Sequence, residues 1–256
     1  MPVPYSKIVG KGQPLLILHG FLGMGDNWKT LANHYAKNGF EAHLLDQRNH
    51  GRSFWSETFH YKALSEDLWE YVMHHGITDA HILGHSMGGK TAMQFACSHA
   101  PLTRSLIVAD IAPKYYPPHH KTILDALGKL DLDNIRSRSA ADRELAQYLP
   151  EAGTRQFLLK NLYRREENQF ALRCNLEVLR HKMPEIGGNI DRTDRFEGAT
   201  LFLRGDRSTY ISDGDEEAIR THFPVAILDT ITNAGHWLHA ENPLEFLKKS
   251  LEFLNS

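Results

Sequence analysis

Gly84-His85-Ser86-Met87-Gly88-Gly89 follows the apolar run His81-Ile82-Leu83 and precedes a stretch with helical spacing. A serine with glycine two residues before and two residues after it, between a strand and a helix, is the pattern of a nucleophile elbow. The turn is tight enough to force the central residue into strained backbone angles. Only glycine fits at the flanks without a clash. The strain lifts the serine oxygen out of the sheet, where a base and a substrate both reach it. The stretch therefore predicts a serine hydrolase and directs the search for its partners.

Outward from this turn, short apolar strands alternate with helical stretches. Residues 14–18 read as a strand ending at His19-Gly20, residues 28–37 as a helix, and residues 41–45 as a strand ending at Asp46. Residues 64–75 form an amphipathic helix with Leu64, Leu68, Tyr71 and Val72 along one face. Residues 80–83 lead into the elbow, residues 87–99 follow it as a helix, and residues 105–109 form a strand ending at Asp110. This alternation predicts an α/β fold with a mostly parallel central sheet and helices on both faces. Functional groups in such a sheet gather beyond the carboxyl ends of the strands, where His19, Asp46, Ser86 and Asp110 stand.

After Pro113 the pattern changes. No convincing strand is read between Lys114 and Glu197, where helical stretches are expected near residues 122–130, 140–149, 155–162 and 171–183. Strand character returns at 200–203 and 225–229, with a helix at 215–222 between them and a last helix at 243–254. Residues 114–197 are therefore expected to be a helical cap inserted into a core made of residues 1–113 and 198–256.

Composition narrows the function classes. The chain has 256 residues, with 29 Lys and Arg against 31 Asp and Glu. A formal charge of -2 gives no electrostatic case for nucleic acid or an anionic membrane. No run is long and apolar enough for a bilayer span, and the first residues, from Met1 on, lack the apolar core of a signal peptide. Cys97 and Cys174 have no metal-type spacing and read as reduced thiols. Histidine is abundant at 16, but His74-His75 and His119-His120 are adjacent rather than one helical turn apart. Both pairs read as solvated surface rather than as metal ligands.

The chemistry of an activated serine needs a base, an acid and an oxyanion hole. His236, in Ala234-Gly235-His236-Trp237, lies after the last strand and before the last helix, where this fold places its histidine. His239 is the competitor. For the acid, Asp110 is favoured over Asp206: the loop position three residues after Gly205, where many such hydrolases carry the acid, is Ser208. Ser208 then supports the triad through a hydrogen bond to Asp110 or His236. Backbone amides of Met87 and Phe21 are the expected oxyanion donors, the latter from His19-Gly20-Phe21-Leu22-Gly23. In Asp46-Gln47-Arg48-Asn49-His50-Gly51-Arg52-Ser53, self-bracing by side-chain hydrogen bonds is preferred over substrate binding by Arg48 or His50. Tyr115, Tyr116 and Trp237 either line an apolar acyl pocket or pack the cap onto the core, and both readings stand open.

The combination resembles the α/β-hydrolase fold over nearly the whole chain, with its closest likeness to the bacterial YbfF-type short-chain esterases. The elbow, the His19–Gly23 turn, Asp46-Gln47-Arg48-Asn49-His50-Gly51, Asp110-Ile111-Ala112-Pro113 and Gly235-His236-Trp237-Leu238-His239-Ala240-Glu241 carry the likeness. The resemblance implies a cytoplasmic carboxylesterase with a small helical cap, acting on short acyl esters and sometimes thioesters, with Asp110 as the acid and Ser208 as an accessory. The expected mechanism is two-step acyl transfer on a small-molecule ester without metal or organic cofactor, by a monomer or homodimer. Dehalogenases and epoxide hydrolases of this fold need aspartate at the elbow, and Ser86 counts against them. A carbon–carbon bond hydrolase or cofactor-free haloperoxidase retains the serine and is the alternative, with a non-enzymatic ligand receptor as the alternative of another class.

Overall fold

The computed structural model describes residues 2–166 and 169–256. Met1, Glu167 and Asn168 lie outside the described residues, the last two within the expected cap. The first half runs β1 (Ser6–Val9), β2 (Gln13–Leu18), α1 (Lys29–Lys37), β3 (Phe40–Leu45), α2 (Tyr61–His74), β4 (Ala80–His85), α3 (Met87–Ser98) and β5 (Thr103–Ala109). An inserted segment follows, with α4 (Lys121–Gly128), α5 (Arg138–Ala146), α6 (Ala152–Leu159), β6 (Leu162–Glu166), β7 (Gln169–Leu172), α7 (Leu176–His181) and α8 (Met183–Ile186). The chain then returns as β8 (Thr200–Gly205), α9 (Glu216–His222), β9 (Ile227–Ile231), α10 (Leu238–Glu241) and α11 (Pro243–Leu254).

Among the described residues the main sheet has 7 strands in the order β1-β3-β2-β4-β5-β8-β9. All neighbours pair in parallel except β1, which runs antiparallel to β3 at one edge with Ser6 opposite Leu45. The central strands are apolar without interruption because both of their faces are covered. Side chains alternate across the sheet with a period of two. Leu16, Leu18, Ile82, Leu106 and Val108 join the core on the α2/α3 face. Leu15, Ile17, Leu83, Ile107 and Ala109 join the core on the α1/α11 face. Each leucine or isoleucine so buried contributes roughly 1.5–3 kcal/mol relative to exposure.

Two elements depart from the sequence reading. The strand β1 has no fully buried residue and no alternating pattern for a sequence to display. Its pairing with β3 rests on a distant partner. The inserted segment also contains the antiparallel pair β6–β7, where helix was expected up to residue 162 and from residue 171. Leu162 and Leu172 face each other there, and Leu162 and Phe170 are buried while Tyr163 is half-buried and Arg164, Arg165 and Gln169 are exposed. Cross-strand contact supplies the missing local signal.

The inserted segment has an apolar core of its own. Leu124, Leu127, Leu145, Leu158 and Leu179 cluster together, and the same cluster takes in Phe21, Leu22 and Met87 of the first half. The segment is thus seated on the turn after β2 and on the start of α3. Among the described residues no helix is long and apolar enough to cross a membrane.

Candidate active site

Ser86 sits between β4 and α3 with φ 53° and ψ -117°, a left-handed conformation that costs a non-glycine residue about 1–3 kcal/mol. Glycine at the flanks makes the turn possible. A Cβ on Gly84 would stand 2.2 Å from the Gly88 carbonyl oxygen, and one on Gly88 would stand 2.3 Å from that of Leu18. The result is a serine side chain that leaves the sheet at its carboxyl edge, held by a Ser86 amide bond to the Ala109 carbonyl at 3.0 Å.

Three side chains far apart in sequence converge there. Ser86 Oγ lies 3.0 Å from His236 Nε2, and His236 Nδ1 lies 2.8 Å from Asp110 Oδ2. The bonds define one arrangement: Nδ1–H donates to the carboxylate, and Nε2 accepts from the serine hydroxyl. Asp110 Oδ1 accepts the Gly205 amide at 3.2 Å, and Ser208 Oγ donates to Oδ2. Asp110 is fully buried and also carries a left-handed φ of 52°. Burial pushes its carboxyl up to about 6, against the pull of the Ser208 and Gly205 donors. Burial likewise holds the His236 imidazole below its ordinary value, so the ring is neutral and free to accept a proton.

Asp206 does not reach the imidazole. Its carboxylate accepts the amides of Asn233 at 2.9 Å and Ala234 at 3.0 Å, and so shapes the turn that delivers His236. His239, the competing base, makes no contact with Ser86. Its ring stacks on Trp28 at 4.1 Å, and its Nδ1 is buried without a partner.

The turn after β2 and the start of α3 lie against each other: a Cβ on Gly20 would stand 3.3 Å from the Ser86 Cβ, and one on Gly88 2.6 Å from the His19 carbonyl oxygen. The Met87 amide opens α3, where no intrahelical carbonyl precedes it. The Gly23 amide bonds the Gly20 carbonyl at 2.9 Å, and Leu22 takes φ 59°, a bend that lays the Phe21 peptide along the cavity. His50 braces this bend: its Nδ1–H donates to the Arg48 carbonyl, and its Nε2 accepts the Leu22 amide at 3.2 Å. Arg48 pairs with Asp67 through two bonds of 2.5 and 2.7 Å and also donates to the Thr58 carbonyl. The side chains of Arg48 and His50 are thus engaged in bonds within the loop after β3 and to Leu22, Thr58 and Asp67, and neither lines the cavity in front of Ser86.

In front of Ser86 lies a cavity of about 250 Å³, lined among others by Trp28, His120, Ile123, Phe157, Leu158 and Trp237. A second, far smaller space of about 20 Å³ opens on the other side of the serine. Trp237 lines the large cavity and packs against Phe157 at 5.5 Å, while Tyr116 lines the small one. Tyr115 is 57% exposed and lines neither.

Several site neighbours escaped the sequence reading. Tyr210 stacks on the His236 ring at 3.7 Å and 15°. His85 Nε2–H donates to the His236 carbonyl at 2.8 Å. His74 and His75 are exposed, in line with a solvated surface; His119 is exposed as well, and His120 is half-buried. His119 and His120 line the cavity, where His119 Nε2 accepts the Tyr210 hydroxyl at 2.5 Å and His120 packs on Phe21 at 4.8 Å. Their sequence signal was position: they follow Pro117-Pro118 at the start of the insertion, a few residues past Asp110.

A family model described as alpha/beta hydrolase fold matches residues 13–137. The chain is 34% identical over 263 residues to a sn-1-specific diacylglycerol lipase of Mus musculus, covering 99% of this chain and 85% of that protein. It is 32% identical over 243 residues to an esterase, YbfF, of Escherichia coli, covering 94% of this chain and 93% of the other. The solved structure of a marine microorganism esterase superposes with a TM-score of 0.96 at 39% identity, covering 99% of this chain and 100% of the other.

Proposed function

The chain belongs to the α/β-hydrolase fold family and is a hydrolase of ester bonds, and we propose that it works as a serine carboxylesterase on short acyl esters or thioesters. Ser86 is the nucleophile, His236 the general base and then acid, and Asp110 the carboxylate that orients the imidazole. The observation that carries this reading is the chain of bonds from Ser86 through His236 to Asp110, at 3.0 and 2.8 Å, beside a largely apolar cavity.

The chemistry follows from that order. His236 takes the Ser86 proton as Oγ attacks the ester carbonyl carbon. The developing oxyanion accepts from the Phe21 and Met87 amides, the second at a helix N-terminus whose dipole favours negative charge. His236 then hands the proton to the leaving oxygen, the carbon–oxygen bond breaks, and an acyl-serine remains. Water, deprotonated by the same ring, attacks the acyl-serine; the bond to Ser86 Oγ then breaks, the ring returns the proton to that oxygen, and the acid is released. Ser208 supports the negative charge of Asp110. Residues 114–197 act as a cap over the site, and Tyr116 and Trp237 contact substrate from its two sides.

The test is direct. A fluorophosphonate should label the native protein on Ser86 and leave Ser86→Ala unlabelled. The native protein should turn over p-nitrophenyl acetate and butyrate many times, and the folded variant should lose roughly 10⁴- to 10⁶-fold in kcat. Ester turnover unchanged by the substitution contradicts the mechanism. Labelling without turnover of any ester would point to a ligand receptor instead.

A further inference from the structure

We propose that the two spaces flanking Ser86 divide the ester between them, the acyl group entering the small one and the leaving alcohol the large one. The inference rests on the roles assigned above to Ser86 and His236, and it adds an orientation and a size limit that those roles do not contain.

The orientation follows from proton transfer. In the tetrahedral intermediate one substituent of the reacting carbon is Ser86 Oγ and one is the oxyanion, directed at the Met87 and Phe21 amides. The leaving oxygen must come within hydrogen-bond reach of His236 Nε2 to receive its proton. The acyl chain takes the direction that remains, away from the imidazole. His236 and Trp237 line the large cavity and not the small one. Met87 and Ile111 line the small one and not the large one. His119, His120 and Tyr210 border both spaces and form the partition.

The size limit follows from the walls. The small space has about 20 Å³, little more than the room of one water-sized sphere, against about 250 Å³ on the other side. Ile111 and Ile186 are buried, and the Tyr61 hydroxyl donates to the Ile186 carbonyl at 2.5 Å, which holds this wall in place. Such a pocket takes an acetyl methyl and rejects a long chain by overpacking. The large cavity, walled by Trp28, Phe157 and Leu158, suits an extended apolar alcohol. The substrate class is thus an acetate-like ester of a bulky apolar alcohol.

Two ester series test this on the native protein. In one, the alcohol is held as p-nitrophenol and the acyl group grows from acetate through hexanoate to decanoate. In the other, the acyl group is held as acetate and the alcohol grows from ethyl through hexyl to decyl. We expect kcat/KM to fall about tenfold or more from acetate to hexanoate in the first series and to hold or rise in the second. Ile186→Ala, which opens the small space, should raise the hexanoate-to-acetate ratio by about tenfold. Long acyl groups accepted as well as acetate, or long alcohols rejected, overturn the orientation while leaving the esterase reading intact. Loss of all ester turnover, in contrast, would remove that reading together with this one.

Discussion

Lys90, one turn beyond Ser86 in α3, donates from its buried ammonium to the carbonyl of Gly188, and the same ammonium donates to the Lys114 carbonyl at 2.5 Å. The two carbonyls belong to the two ends of the inserted segment. One side chain on the elbow helix therefore holds both crossings between core and insertion. Tyr116 stacks its ring under the same ammonium at 4.9 Å.

Lys90→Met fills similar space but donates nothing, so it leaves buried carbonyls without a partner. We expect a loss of about 2–4 kcal/mol of stability. Backbone amides around residues 114–116 and 187–188 should exchange deuterium faster, while those of β2 and β4 keep their protection. Equal exchange in both regions, measured by mass spectrometry at matched stability, would contradict the clamp.

Asp110 and Asp206 separate cleanly by their partners. Asp110→Asn replaces the acceptor of the His236 Nδ1 proton and should cost roughly 10⁴-fold in kcat. Asp206→Asn retains an oxygen for the turn at Asn233 and Ala234 and should cost less than about tenfold. Steady-state kinetics on one p-nitrophenyl ester decides it. If Asp206→Asn alone abolishes turnover, the acid is misassigned.

The pH profile follows from burial. His236 acts as a base only when neutral, and burial keeps its affinity for a proton below the ordinary value of 6.5. A lowered value means that the active form survives to lower pH and is lost as pH falls through it. The acid limb of kcat/KM should therefore have its midpoint below 6.5, as a property of the coupled His236–Asp110 pair. Ser208→Ala removes a donor that favours the ionised carboxylate. The pair then binds its proton more readily, and the limb should move up by about one unit. A limb that stays in place would deny Ser208 this role.

Gly88 packs the start of α3 against the end of β2. Gly88→Ala puts a Cβ 2.3 Å from the Leu18 carbonyl oxygen, backbone against backbone, where no rotamer change relieves the clash. We expect a loss of about 3 kcal/mol or more, read as a shift in the denaturant midpoint, with ester turnover falling as the elbow is displaced.

The legible part of this chain was local. The turn Gly84–Gly89 carries its own conformational constraint, since only glycine admits the backbone contacts on either side of Ser86. The strands β2 to β5 announce themselves as apolar runs because they are covered on both faces. Its place at the end of β5, with Ser208 standing where many such hydrolases carry the acid, favoured Asp110, and the place after the last strand favoured His236; the arrangement brings their side chains together with Ser86. What escaped was relational. The hairpin β6–β7 and the edge strand β1 depend on partners that their own residues do not reveal. His120 and Lys90 look like a polar loop residue and a surface charge until the insertion folds over the sheet. Tyr210 is one aromatic among many until its ring meets His236.

The residue types and their short-range order thus settle the layered α/β architecture, the strained serine and the pool of groups that can activate it. Backbone sterics and hydrophobic periodicity act over a few residues, so they are written in the chain directly. The unequal spaces on the two sides of Ser86, the turn that occupies Asp206 and the clamp on the insertion belong to the folded molecule. They depend on distances between segments many residues apart, which long-range packing sets and which no stretch of the chain contains.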